Sequence, residues 1–406
     1  MVAKRTGLAR TRKAAGLTQE SLAEALHIDR TTIVRWESGK SEPQPYLRPK
    51  LARMLGVPLT KLEELLAPAQ PVGAPDAARE PSAAANSLLP TLGVDETAHA
   101  AKALVEASRY FDSKVVDYFR RQLGTCMVDD GELGPSKTLP NVLGLLHTVE
   151  RCAREVKPSV RRGLLSFGAC TAEFAGWLYR DTNNPAQATA WYDRAMEWAQ
   201  EALDLPMQGY ILLKKSQMAY DAHDPVRVFT LAMAAQEGPW QLPTKVRAEV
   251  TQQTALGLAM LGEPIAAVER TLDDAHQILD HATHNDDQSG KFGAYFNDCT
   301  LQLRNASCFT EAGKPGRAAV IFGDVLQDAP LSRRDNGYFS SRRAAALALS
   351  GEPDEAATVG LTSNDVATFT RSERTLRVLS EVVQTLSPWR SRPAVRELRD
   401  AMRVPS

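Results

Sequence analysis

The sequence predicts an all-α chain: a small head of five short helices, an Ala/Pro-rich linker, and an α-solenoid built from stacked helix pairs. Three observations carry this. Apolar residues recur at helical spacing on both sides of residues 67–95, and no run alternates as a half-buried strand would. Within 67–95, Pro68, Pro71, Pro75, Pro81 and Pro90 stand among alanines, a composition that neither continues a helix nor fills a core. From about residue 96 to 406, a proline that opens a helix returns roughly every 40 residues.

The 406 residues are 43% apolar and 24% charged, which excludes a mostly disordered chain. No apolar run reaches the roughly 18 residues that a membrane span needs. Met1 to Arg12 is polar and basic, unlike a secretory signal, so a cytoplasmic, nucleoid-associated protein with no membrane partner is expected. Cys126, Cys152, Cys170, Cys299 and Cys308 form no Cys-x-x-Cys and read as reduced, core-packing thiols. Residues 1–66 carry 12 Lys+Arg against 7 Asp+Glu, while the remainder carries 36 against 42. A basic head on an acidic body points to an anionic partner for the head. The 34 arginines against 14 lysines, with abundant alanine, suit a GC-rich bacterial genome.

In the head (1–66), Leu8–Ala15 reads as a short basic helix bearing Arg10, Arg12 and Lys13, with Arg5 just before it, and Gly16 closes it. Thr18 can cap a second helix whose inner face is Leu22, Ala23 and Leu26. After the turn His27-Ile28-Asp29, Asp29 can cap a third helix from Arg30 to about Ser38, with Ile33 and Trp36 inward and Gly39 as its stop. Pro43 and Pro45 mark a loop, and Leu47–Leu55 and Leu59–Leu66 complete five helices. Gly16-Leu17-Thr18-Gln19, Leu22-Ala23, Ile33, Trp36-Glu37-Ser38-Gly39-Lys40, Pro43 and Leu55-Gly56-Val57 together resemble the helix-turn-helix domain of the Cro/phage-repressor (XRE) family. The resemblance implies double-stranded DNA as partner and a third helix in the major groove. It places Arg30, Thr31, Thr32 and Arg35 at base edges, Gln19 on a phosphate, and Lys40 on the backbone. Arg10, Arg12 and Lys13 add phosphate contacts, and Arg30 or Arg35 can grip a guanine through two hydrogen bonds. Glu37 is expected to pair with a first-helix arginine rather than touch DNA.

In 96–406, five turns place a proline before a helix: Asn184-Pro185, Asp224-Pro225, Glu263-Pro264, Lys314-Pro315 and Glu352-Pro353. A compact residue follows three positions later in each (Ala188, Val228, Ala267, Ala318, Ala356), and a long apolar-periodic helix precedes each. One such pair cannot bury its own apolar face, and stacking solves this. Gly176, Tyr179, Ala188, Tyr192 and Ala195 resemble the small and aromatic positions of tetratricopeptide repeats; the third unit fits less well, with Thr271 and Asp274 where apolar residues are expected. Helices at about 97–123 and 139–156 extend one end, and 374–403 caps the other. Inward positions of the first helices would line a groove: Glu173, Trp177, Arg180, Tyr210, Gln217, Tyr220, Glu249, Gln252, Thr300, Ser307 and Tyr338. Their aromatic, amide and charged groups suit a peptide.

A helix-turn-helix head joined to such repeats resembles the RRNPP architecture of peptide-sensing regulators. That resemblance implies a homodimer whose repeats dimerise, bind a signalling peptide or small signal, and set the spacing of two heads on an inverted-repeat operator. The alternative is a DNA-tethered scaffold for plasmid or chromosome maintenance, whose repeats dock a partner protein. Other chemistry finds little support. Gly313-Lys314 lacks the earlier glycine of a phosphate loop, since Cys308 stands there. His281, His284, Asp286 and Asp287 lie in a polar loop, and Asp129-Asp130-Gly131 lacks the remaining calcium-ligand spacing. No enzyme activity, metal or cofactor is expected.

Overall fold

The structure, a computed structural model, describes residues 6–26, 28–38, 40–44, 47–57, 62, 65–66, 94–282 and 293–403. Arg5, His27, Gly39, Pro45, the linker up to residue 93, and His284, Asp286 and Asp287 lie outside the described residues. The chain divides into two compact units, residues 1–90 and 91–406. The described residues are helical throughout both units, with no strand among them.

In the head, α1 (Thr6–Ala14), α2 (Gln19–Leu26), α3 (Arg30–Glu37) and α4 (Arg48–Met54) follow the expected order. Gly16 takes a φ of 72° in the turn after α1, where a side chain would be strained. Thr18 and Ser21 exchange hydrogen bonds at the start of α2: Ser21 N–H donates to Thr18 Oγ1 at 3.0 Å, and Thr18 N–H to Ser21 Oγ at 2.9 Å. Asp29 caps α3 by accepting the Thr31 N–H at 2.7 Å. Leu8, Leu22, Ala23, Leu26, Ile33, Trp36, Leu51 and Leu55 form one core, and Leu62 and Leu66 of the expected fifth helix join it.

The second unit begins with α5 (Val94–Val105), slightly earlier than the sequence suggests, then α6 (Ala107–Tyr110), α7 (Ser113–Leu133) and α8 (Pro135–Cys152). Pairs follow: α9 (Pro158–Asp181) with α10 (Pro185–Glu201), α11 (Leu205–Asp221) with α12 (Pro225–Glu237), and α13 (Thr244–Met260) with α14 (Ile265–Asp280). Next come α15 (Asp298–Glu311) with α16 (Pro315–Asp328) and α17 (Arg333–Ser350) with α18 (Pro353–Thr370). α19 (Glu373–Thr385) and α20 (Pro393–Ala401) end the array. All five proline turns fall where expected, each at or just before the first helical residue. A Cβ on Gly176 would lie 2.6 Å from the Tyr192 ring, so the small-against-aromatic contact that the repeat motif requires is present. In α14 the inward positions are Val268, Leu272 and Ala275; Thr271 instead bonds back to the Ala267 carbonyl, and Asp274 faces out.

The two ends of the array meet. Helices α17 and α18 pack on α7, and α19 packs on α9, so the last pairs return to the first helices.

Candidate nucleic-acid interface and the inner face of the repeats

In the head, α3 presents Ile33 and Trp36 to the core and leaves Arg30, Thr31 and Arg35 exposed, with Thr32 half-buried. Arg30 keeps 60% of its side chain in solvent and pairs with Glu20 at 2.8 Å. An exposed pair of this kind is worth little and exchanges readily for a stronger anion. The backbone hydrogen bond at the start of α2, and then Arg30, hold the Glu20 carboxyl below the usual range. Arg10, Lys13 and Lys40 are exposed.

Arg12 is placed differently from the expected phosphate contact. It is only 6% exposed, and its Nε donates to Glu37 Oε1 at 2.7 Å while Nη1 donates to the Leu17 carbonyl at 2.7 Å. Its guanidinium is therefore committed to joining α1 to α3. Gln19 Nε2 also donates to Glu37, at 2.7 Å, so one carboxylate ties α1, α2 and α3 together. The expected partnership of Glu37 with a first-helix arginine is present, and Gln19, expected on a phosphate, donates to the same carboxylate.

In the repeats, of the eleven residues expected to line a groove, ten are buried and Trp177 is half-buried. They bond to one another and to charged residues the sequence reading passed over. Glu249 accepts from Gln217 at 2.7 Å and from Tyr295 at 2.6 Å, and pairs with Arg304 at 3.0 Å. Lys214 donates to Tyr295 at 2.7 Å and stands 4.6 Å from the centre of the Tyr210 ring. Glu173 faces Lys214, Glu249 and Arg180; burial raises its carboxyl to about 7, against the pull of Lys214. Burial raises Glu249 as well, but Arg304 and Lys214 outweigh it and hold this carboxylate low.

Arg180 pairs with Asp221 and donates to the Gln217 carbonyl. Tyr220 donates to Glu311 at 2.8 Å, and Arg342 lies over both Tyr220 and Tyr338. Three guanidinium groups surround one indole: those of Arg334 and Arg374 at 4.7 Å and that of Arg180 at 5.5 Å from the Trp177 ring. Gln252 donates to Cys308 Sγ at 3.2 Å. Thr300 and Ser307 do not join this network: Thr300 Oγ1 serves the start of α15, and Ser307 bonds the Leu303 carbonyl. The missed residues follow the same helical spacing as those found. Positions 210, 214, 217 and 221 share one face of α11, and 304, 307 and 311 one face of α15. Lys214, Asp221 and Arg304 are not among the expected groove residues.

A family profile and one relative agree with the head. The crystal structure of Bacillus thuringiensis PlcR in complex with the peptide PapR7 and DNA aligns with 93% of this chain and 99% of that one, at 12% identity and a TM-score of 0.28. The helix-turn-helix family profile matches residues 8–62. An uncharacterized HTH-type transcriptional regulator of Methanothermobacter thermautotrophicus is 44% identical over 52 residues, which is 13% of this chain and 75% of that protein. With the capped third helix, its outward arginines and the glycine turn after α1 all in place, the chain belongs to the helix-turn-helix transcriptional regulators of the phage-repressor type.

Proposed function

We propose that the chain is a dimeric, sequence-specific regulator whose head reads an inverted-repeat operator and whose repeats receive a peptide or small signal. The observation that carries the DNA reading is the division of α3. Ile33 and Trp36 anchor it, while Arg30, Thr31 and Arg35 project from its other side with no core role. A helix of this length fits the major groove, and Arg30 and Arg35 have the fork geometry that pairs with guanine. Arg10, Lys13 and Lys40 supply the phosphate contacts that hold the register. Arg12 and Glu37 set the angle between α1 and α3. For the repeats, support comes from the inner face, where aromatic, amide and charged side chains are concentrated as a peptide would require.

The test is recovery of genomic DNA bound to the purified full chain at roughly 150 mM salt, where non-specific binding is suppressed. A sharp palindromic site beside one or a few promoters is the expected result, and its half-site spacing gives the dimer geometry. Diffuse, salt-sensitive recovery overturns the operator reading for the free chain and leaves a DNA-tethered scaffold or a head that needs its ligand before it binds.

A further inference from the structure

Neighbouring helix pairs in the second unit are joined by apolar cores. One cluster runs from Ala100 to Val250, and a second from Ala219 to Leu398. The two meet along the chain at α11, which contributes Met207, Tyr210, Ile211 and Leu213 to the first and Ala219 and Tyr220 to the second. They do not merge a second time where α17–α19 return to α7 and α9. That seam is polar. Arg334 of α17 pairs with Asp130 of α7, whose Oδ2 also accepts the Trp177 Nε1–H at 3.1 Å. Ser372, which caps α19, donates to Asp181 Oδ1 at 2.8 Å, and Arg374 stands 3.5 Å from the same oxygen. Arg377 approaches Asp221 at 3.8 Å. The backbones also touch, since a Cβ on Gly134 would run into the Thr370 carbonyl.

This seam leaves polar atoms unmatched on both sides. Asp130 Oδ1, Asp181 Oδ2 and Arg374 Nε are buried with no hydrogen-bond partner among the described residues. Buried ion pairs gain little over their separated, hydrated partners, and unsatisfied polar atoms gain from water. An apolar joint loses its whole burial energy on opening, whereas a polar seam recovers hydration when it parts.

We infer that the repeat array is a ring held shut by a polar clasp, Asp130, Trp177 and Asp181 against Arg334, Ser372 and Arg374, and that parting of this clasp admits ligand to the inner face. In this opening the helix pairs stay intact, α17–α20 swing from α7 and α9, and the inner edge of the second apolar cluster is uncovered. The inference rests on the proposed sensing role for its purpose, but the opening is tested without ligand or DNA.

Cys308, a member of the second apolar cluster that touches Gln252 of the inner face, reports on the opening. It is fully buried, its Sγ accepts from Gln252, and burial raises its thiol to about 12, so it resists alkylation while the ring is closed. A Cβ on Gly131 would lie 2.9 Å from Ser332 Cβ, across the seam, and a small relaxation brings the pair to disulfide spacing. The experiment compares the full chain carrying Gly131→Cys with Ser332→Cys in its oxidised and reduced forms, so both arms share one sequence. Maleimide labelling of the Cys308 peptide is followed by mass spectrometry, with circular dichroism confirming the helical content of both forms. The expected result is labelling about tenfold or more slower in the oxidised form, with the reduced form reacting at a rate independent of low urea, the mark of local opening. Equal rates in the two forms overturn the clasp. So does a reduced-form rate that climbs with urea along the global unfolding transition. Either failure leaves the operator and sensing readings to their own tests.

Discussion

In the head, one buried ion pair, Arg12 with Glu37, sits where three helices meet, and the remaining described cations face outward from an apolar core. In the repeats the arrangement is inverted. The apolar residues lie between helix layers, and the charges collect on the inner face, where Arg180, Lys214, Glu249 and Arg334 are all less than a tenth exposed. The contrast shows two uses of charge in one chain. Exposed charge on a rigid head is available to a partner at once. Buried charge in a closed ring is already partnered, and becomes available only if the ring yields.

The largest effect that would break this comparison is at Arg180. Arg180→Ala strands Asp221 in the interior, where breaking a buried pair costs about 3–5 kcal/mol. Urea unfolding of the repeat unit should show that loss, and Arg180→Met with Asp221→Leu should recover much of it. A cost near zero for Arg180→Ala would mean that the inner face is wet, contrary to its burial. Arg12→Ala is the counterpart in the head, because it leaves Glu37 with Gln19 alone. It should lower the head's stability by an amount similar to that of other broken buried pairs, about 3 kcal/mol, and leave base preference unchanged where the fold survives.

The pH dependence separates the units next. Burial raises Glu173 from an ordinary value of 4.5 to about 7, so the folded repeats favour its acid form. The stability this group contributes is complete below its unfolded value and is lost as pH rises through 7. Across that window the unmodified chain should lose up to about 3 kcal/mol relative to Glu173→Gln, which cannot ionise. Parallel stability curves for the two proteins would show that Glu173 is hydrated and has no part in the closed interior.

How much of this was legible depended on the kind of signal. In the head, each position has a local cause: Gly16 for a positive φ, Asp29 for a cap, Trp36 for the core. The family resemblance could therefore put Arg30, Thr31 and Arg35 on the outer side of the third helix, where they are exposed. Arg12 was assigned to a phosphate because, although Glu37 was expected to pair with a first-helix arginine, nothing in that basic helix says which arginine turns inward. In the repeats, the proline turns and the Gly176–Tyr192 contact were readable because they are near in sequence. Helical spacing also picked out side chains that turn out to be buried. Ring closure was not readable, since it joins Asp181 to Ser372, which are 191 residues apart, through polar groups that leave no apolar pattern.

On DNA, Arg30 should sharpen the contrast with Arg12. Arg30 is 60% exposed and has only Glu20 to release. Arg30→Ala should leave the melting of the head within about 0.5 kcal/mol of the parent. It should cost about 1–3 kcal/mol on the operator and relax preference at a single base position. An equal loss on random DNA would reassign Arg30 to a phosphate.

The smallest effect expected is at Asp29, and it tests whether the exposed face of α3 depends on its cap. Asp29 accepts the Thr31 N–H at 2.7 Å, and Thr31 is itself one of the residues turned outward. Loss of a helix cap costs about 1 kcal/mol, and fraying is confined to the first turn, which here contains Arg30, Thr31 and Thr32. Asp29→Ala should therefore lower head stability slightly and weaken operator binding by more than its charge change explains, while Asp29→Ser, which keeps an acceptor at the cap, should retain most of both. Titration at two salt concentrations separates the effects. Removing an acidic residue near DNA strengthens binding, and most at low salt, so binding that weakens at both concentrations isolates the cap. If Asp29→Ala bound DNA more tightly, with Asp29→Ser doing the same, the carboxylate would be acting on DNA through its charge alone, and the positions of Arg30 and Thr31 would owe nothing to it.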